Sequence, residues 1–136
     1  MPLFFDISDV LDFHIEQIEL YGGIHGVRDI GLLESALAVP MSGFGGEYLH
    51  KFPFEMAAAY LFHIVQNHPF IDGNKRTGLA VCLYFLGMHG IEIETDPDGL
   101  ERFVRYIAEG KFQKPEIARF LQEHSKEIKD FQIPNI

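Results

Sequence analysis

Apolar residues recur at helical spacing along most of the chain, and the alternation expected of strands is nearly absent. Asp6 or Ser8 can cap a first helix whose apolar positions Val10, Leu11, Ile15 and Ile18 recur every three to four residues. Gly22-Gly23 ends it. Asp29 can cap a short second helix through Leu32, Leu33, Ala36 and Leu37, closed by Pro40. Two later runs are apolar on nearly every side. One is FEMAAAYLFHIVQN, from about Phe54 to Asn67, and the other extends from about Asn74 to Met88 and stops near Gly90. Helices of that kind are buried on most faces and belong at the centre of a fold. Asp96-Pro97 supplies a cap and a first-turn proline for a helix with Leu100, Phe103, Val104 and Ile107 on one face, closed by Gly110. Lys114-Pro115 opens a last helix with Ile117, Phe120 and Leu121 inward.

Residues 40–53, PMSGFGGEYLHKFP, hold three glycines and two prolines and form the longest irregular stretch. The tail 130–136 carries no strong signal and is expected either to be loose or to pack back. Repeats, low-complexity tracts and linkers are absent. The pattern predicts one all-α domain over 1–136, five to seven helices around two central apolar ones.

Composition narrows the function classes. The apolar fraction of 47% fits a globular chain. A net charge of −9, from 20 acidic and 11 basic residues, argues against non-specific nucleic-acid binding as the main activity. One cysteine, Cys82, sits in an apolar run, so no disulfide framework exists and a reducing compartment is expected. The start MPLFFDISDV lacks the features of a secretory signal, and no apolar run approaches the roughly 18 residues needed to span a bilayer. A cytoplasmic location, with no membrane and no direct nucleic-acid partner, is the expectation.

Chemistry concentrates in 68-HPFIDGNKRTG-78, between the two central runs. A helix beginning near Asn74 offers unpaired backbone N–H groups and a positive dipole end. Gly73 lets a ligand approach the backbone closely. Lys75 and Arg76 place two cations where the helix dipole disfavours them, which makes better sense if an anion sits there. These parts describe a phosphate cradle. Asp72 beside it is suited to hold Mg²⁺, and His68 can take a proton from an attacking hydroxyl at neutral pH. Base, metal ligand and phosphate anchor together are the kit for transfer from a nucleotide to a hydroxyl. Pro69 and Phe70 are expected to be structural, the buried ring pinning the loop. Each residue alone also has a plain reading: a structural histidine, a turn at Asp72-Gly73, an N-cap at Asn74, solvated cations.

The string HPFIDGNKR resembles the signature of the Fic/Doc family, His-x-Phe-x-(Asp/Glu)-(Gly/Ala)-Asn-(Gly/Lys)-Arg, and meets every specified position. The upstream segment GGIHGVRDIGLLESALAVP, the length and the helical layout resemble the short Doc (death-on-curing) branch. The resemblance implies an all-α fold, His68 as general base and Asp72 as Mg²⁺ ligand. It implies an anion hole from Gly73, Asn74, Lys75 and Arg76 that binds the phosphates of ATP, with Arg76 taking part in catalysis. AMP-transferring members carry glycine where Lys75 stands, whereas Doc toxins have lysine there and transfer the γ-phosphate. Lys75 therefore points to phosphotransfer, with AMP transfer (AMPylation) as the alternative. Gly73 departs from the best-known Doc pattern, which has alanine at that place. The Doc resemblance implies a toxin that inhibits translation, with elongation factor Tu as protein substrate.

Family members carry a target-aligning flap where 40–53 lies, and Gly43, Gly45 and Gly46 leave its backbone accessible for β-augmentation, though a plain surface loop fits equally. Asp29 reads as a helix cap, and Arg28 is open to contact with a substrate or inhibitor. The Ser/Thr-x-x-x-Glu-Gly/Asn string by which many Fic proteins silence themselves is absent from this chain. Inhibition is then expected in trans, from a cognate antitoxin. Two remoter readings are a metal-dependent hydrolase using His63, His68 and Asp72, and a non-catalytic binding module.

Overall fold

The computed structural model describes residues 1–128. Six helices form among them: α1 (Ile7–Tyr21), α2 (Ile30–Ala38), α3 (Phe54–Asn67), α4 (Asn74–Met88), α5 (Pro97–Ala108) and α6 (Lys114–Glu123). The two central runs become α3 and α4 at the predicted limits. Asp6, not Ser8, caps α1: its carboxylate accepts from Asp9 N–H, and the Asp9 carboxylate accepts from Asp6 N–H, both at 2.9 Å. Asp29 caps α2 through Leu32 N–H at 3.0 Å, and Asp96 caps α5.

Helical periodicity did not foresee two small antiparallel ribbons. Within the irregular 40–53 stretch, β1 (Gly43–Phe44) pairs with β2 (Glu47–Tyr48). Its turn is Gly45-Gly46 with both φ angles positive, 61° and 83°, which matches the twist of the flanking strands. Further on, β3 (Ile91–Ile93) pairs with β4 (Ser125–Glu127) and ties the end of α6 back to α4. The α1 stripe also differs from the expectation. Ile15 is 44% exposed, and Phe13 and His14 turn inward instead.

The core is built around α3, which packs on α4, α6, α2 and α5. Met56, Leu61 and Ile64 are fully buried on it, against Phe85, Leu86, Leu33 and Leu121. Gly78 lets α4 approach α3 closely. A Cβ there would stand 3.0 Å from Val65 Cγ2 and 3.4 Å from the Leu61 carbonyl. This close contact brings the end of α3 beside the start of α4. Cys82 is fully buried, which pushes its thiol up and leaves it inert as a nucleophile. No helix among the described residues is long and apolar enough to cross a membrane. The tail 130–136 lies outside the described residues.

On the far face of α3, Lys114 Nζ donates to His50 Nε2 at 3.2 Å and to His63 Nε2 at 3.0 Å. Burial, then the Lys114 charge, then His50 depress His63 to about 4. Its folded pKa lies below the unfolded value of 6.5, so the unfolded chain binds the extra proton first on acidification. The His63 contribution to stability is therefore expected to fall as pH drops from about 6.5 to about 4 and to be constant below. The loss is about 1–2 kcal/mol once solvent screening of this half-buried group is allowed for. His63→Gln should flatten that stretch of the urea-midpoint profile, and an unchanged slope would count against His63 as its source.

Candidate active site

The residues of the HPFIDGNKR string are folded by contacts with two earlier segments. α3 ends at His68, which adopts the left-handed conformation (φ 51°, ψ 53°) as its C-cap. That conformation is strained for a residue with a side chain. Arg28 holds it: Nε donates to the His68 carbonyl at 2.7 Å and Nη2 to the Asn67 carbonyl at 2.9 Å. These are carbonyls that a helix end leaves without partners. Arg28 thus works on the backbone of the motif through two of the five N–H groups of its guanidinium.

Residues 26–29 then run antiparallel to 69–71. The Pro69 carbonyl accepts from Arg28 N–H at 2.7 Å and Asp29 N–H at 3.0 Å, and Ile71 N–H donates to the Gly26 carbonyl at 3.0 Å. Val27 and Phe70 form the bridge between the segments. Phe70 is fully buried, as the sequence suggested, and its ring stacks on His14 with centroids 3.8 Å apart and 4° between planes. His14 Nε2 lies 2.8 Å from the Asp72 carbonyl, so that nitrogen carries the proton and donates. Burial is the largest influence on His14 and lowers its pKa, which keeps the ring neutral in this role.

Asn74 closes the loop from the other side. Its Oδ1 accepts from Phe70 N–H at 2.9 Å and its Nδ2 donates to the Phe70 carbonyl at 3.0 Å. The side chain is buried and engaged, so what it offers an anion is its backbone N–H. Asn74→Ala leaves both Phe70 groups buried without partners. It is expected to cost about 2–4 kcal/mol, read from urea midpoints, with Asn74→Asp close behind because a carboxylate would face a carbonyl. A loss below about 0.5 kcal/mol would contradict that role.

Gly73, not Asn74, is the N-cap of α4, in the left-handed region at φ 76°. A Cβ on it would lie 3.0 Å from Ile18 Cδ1 and 3.6 Å from His14 Nε2. No side chain caps α4, so the backbone N–H groups of its first turn are left open to an acceptor such as an anion. The Asp72 carboxylate is exposed and accepts from Ile24 N–H at 3.1 Å and Gly73 N–H at 2.8 Å. Those two donors, Ile24 first, lower its pKa and keep it ionised.

His68, Asp72, Gly73, Asn74, Lys75 and Arg76 all line one cleft of about 520 Å³, together with Gly22, Val65, Ile71 and Ala108. Lys75 and Arg76 are exposed, and both also border a neighbouring groove. Arg76 Nη1 donates to the Tyr21 carbonyl at 3.2 Å and the Gly22 carbonyl at 3.4 Å, with the guanidinium 5.0 Å from the Tyr21 ring centroid. The carbonyl end of α1 therefore offsets this cation, and an anion is not needed to explain Arg76. His63 lies outside the cleft, in the Lys114 cluster, so it does not join His68 and Asp72 in a metal site. Among the described residues no three His, Cys, Asp or Glu side chains are grouped to hold a metal.

Sequence reasoning missed His14 and the clamping role of Arg28. Their partners are 58 and 40 residues away. The sole hint was a histidine interrupting the apolar side of α1.

A model of the Fic/DOC family matches residues 4–86, more than half of the chain. Toxin Doc of Mycolicibacterium smegmatis is 38% identical over 78 residues, 57% of this chain and 60% of that protein. Protein kinase doc of Escherichia phage P1 is 31% identical over 91 residues, 67% of this chain and 71% of that protein. The match thus spans less than two thirds of the first relative and somewhat more of the second. The chain belongs to the Fic/DOC family, on its Doc branch.

Proposed function

We propose that the chain is the toxin of a toxin–antitoxin pair and transfers the γ-phosphate of ATP to a hydroxyl on a protein. The observation that carries this reading is one cleft shared by an exposed histidine, an ionised carboxylate and an uncapped helix start. His68 takes the proton of the acceptor hydroxyl as its oxygen bonds to the γ-phosphorus. The bond from that phosphorus to the bridging oxygen breaks, and ADP leaves. The N–H groups of the first turn of α4 and the Lys75 and Arg76 cations hold phosphate oxygens, and Gly73 lets them come close. To serve that way Arg76 leaves the carbonyls of Tyr21 and Gly22.

Asp72 fits Mg²⁺: each of its oxygens accepts one N–H and keeps a lone pair, and Mg²⁺ sites at phosphates need only one or two carboxylates. When bound, the ion would neutralise phosphate charge.

Lys75 supports phosphotransfer over AMP transfer if its side chain lies in the cleft. Because Lys75 also borders the neighbouring groove, AMP transfer remains the second reading. By the family resemblance the target is elongation factor Tu, the result is inhibited translation, and the β1–β2 hairpin offers an edge to the target's main chain. A cognate antitoxin would supply a helix to the groove beside Arg76, whose walls include Leu79, Leu100 and Val104. Incubation of elongation factor Tu with ATP, Mg²⁺ and this protein, followed by intact-mass measurement, tests the assignment. A gain of one phosphate supports it, a gain of one AMP selects the second reading, and no gain removes this target.

A further inference from the structure

On this acidic chain, three of the eleven basic residues line one groove away from the cleft. Lys51, Lys114 and Arg119 border a cavity of about 720 Å³ between the segment 49–55 and α6. That volume is within the usual ligand-site range of about 300–1,000 Å³. Lys114 and Arg119 come from α6, and Lys51 faces them from the chain leaving β2. The only carboxylate among the lining residues is Glu55, whose Oε1 accepts from Lys51 N–H at 3.0 Å. Among the described residues no ion pair involves Lys51, Lys114 or Arg119. The groove therefore keeps uncompensated positive charge within a protein of net charge −9.

The partners of Lys114 sharpen this. An ammonium group only donates, so the Nε2 atoms of His50 and His63 are acceptors and the neutral rings carry their protons on Nδ1. Two neutral imidazoles hold Lys114 in place without cancelling its charge. His50 Nδ1–H is thereby a buried donor with no protein acceptor among the described residues. That donor is shut off from solvent, so the attraction of the groove for an acidic occupant rests on its three cations. Apart from Gln122 the rest of the lining is apolar, and Leu49 and Phe52 are 66% and 46% exposed. A lone inorganic anion would leave those side chains uncovered.

We infer that this groove docks an acidic, partly apolar segment of a protein partner, its carboxylates on Lys51, Lys114 and Arg119 and its apolar side chains on Leu49 and Phe52. Charge complementarity selects the occupant, and the inference stands independently of the chemistry assigned to the cleft.

The test is fluorescence anisotropy with the full chain and a labelled octapeptide of alternating Glu and Leu, beside matched peptides bearing Gln or Lys in place of Glu. The Glu peptide is expected to bind at least about tenfold more tightly than the Gln peptide, and the Lys peptide not at all. The triple variant K51Q/K114Q/R119Q should lose at least about tenfold in affinity, while K111Q/K126Q, elsewhere on the surface, should not. Ala118→Trp, which fills the groove without altering charge, should also weaken binding, so the inference remains testable if the triple variant folds poorly. Equal affinity of the Glu and Gln peptides, or no binding at millimolar peptide, would overturn it. So would full displacement of the peptide by equimolar inorganic phosphate. A dimer of this chain that the triple variant abolishes would make a second copy the occupant, and would also overturn it.

Discussion

His68→Ala is expected to lower the transfer rate about 10²–10⁴-fold, the usual contribution of a positioned general base. The fold should survive. The imidazole is exposed and makes no hydrogen bond to another described residue, whereas the backbone of His68 is what Arg28 grips. Alanine fits the left-handed conformation somewhat less readily than histidine, a small loss that the Arg28 clamp on the backbone can bear. Initial rates on the protein target, with thermal unfolding in parallel, separate the two contributions. A Tm drop above about 10 °C would mean that the side chain supports the loop, because each kcal/mol shifts Tm by only a few degrees in a chain of this size. An unchanged rate would remove His68 as the base.

Phe70→Ala, two positions along, should behave in the opposite way, with stability lost first. The ring is fully buried, stacked on His14, and its own N–H and carbonyl are both held by Asn74. Truncation opens a cavity between α1 and the loop, at a cost of about 3–5 kcal/mol. A chain of this length would lose about 10–20 °C in Tm. Activity below the new Tm should fall as well, because Asp72 and Gly73 rest on the same stack. His14→Ala combined with Phe70→Ala should cost less than the sum of the single losses, since both remove one contact. Additive losses, or a Tm shift under about 3 °C, would contradict the pinning role.

Much of this arrangement was readable in the chain. The nearly all-round apolar character of 54–67 and 74–88 located α3 and α4, because helices buried on most faces carry apolar residues on most of them. The loop between them announced its chemistry by residue type, and Gly73 beside a helix start suggested an anion cradle. What could not be read was how each polar group is used. Asn74 looked like a cap or a phosphate ligand, yet its amide is engaged with Phe70, a pairing that no spacing rule separates from capping. Arg76 looked like a cation awaiting an anion, and its actual partners are the carbonyls ending α1. His14 and Arg28 act across long stretches of chain, where periodicity carries no information. The Gly45-Gly46 turn and the IEI of β3 did carry local strand signals, outweighed by the helical pattern around them.

The antiparallel seam between residues 26–29 and 69–71 has a practical meaning for anyone wishing to move this chemistry. The eleven residues from His68 to Gly78 carry only part of their own shape, in the Asn74–Phe70 pair. Their backbone is cast against Gly26, Arg28 and Asp29, and their ring is backed by His14. A transplant of the bare string onto another helical hairpin would bring the right side chains on a slack backbone. The smallest portable unit begins at α1, in agreement with a family match that starts at residue 4 and ends at residue 86.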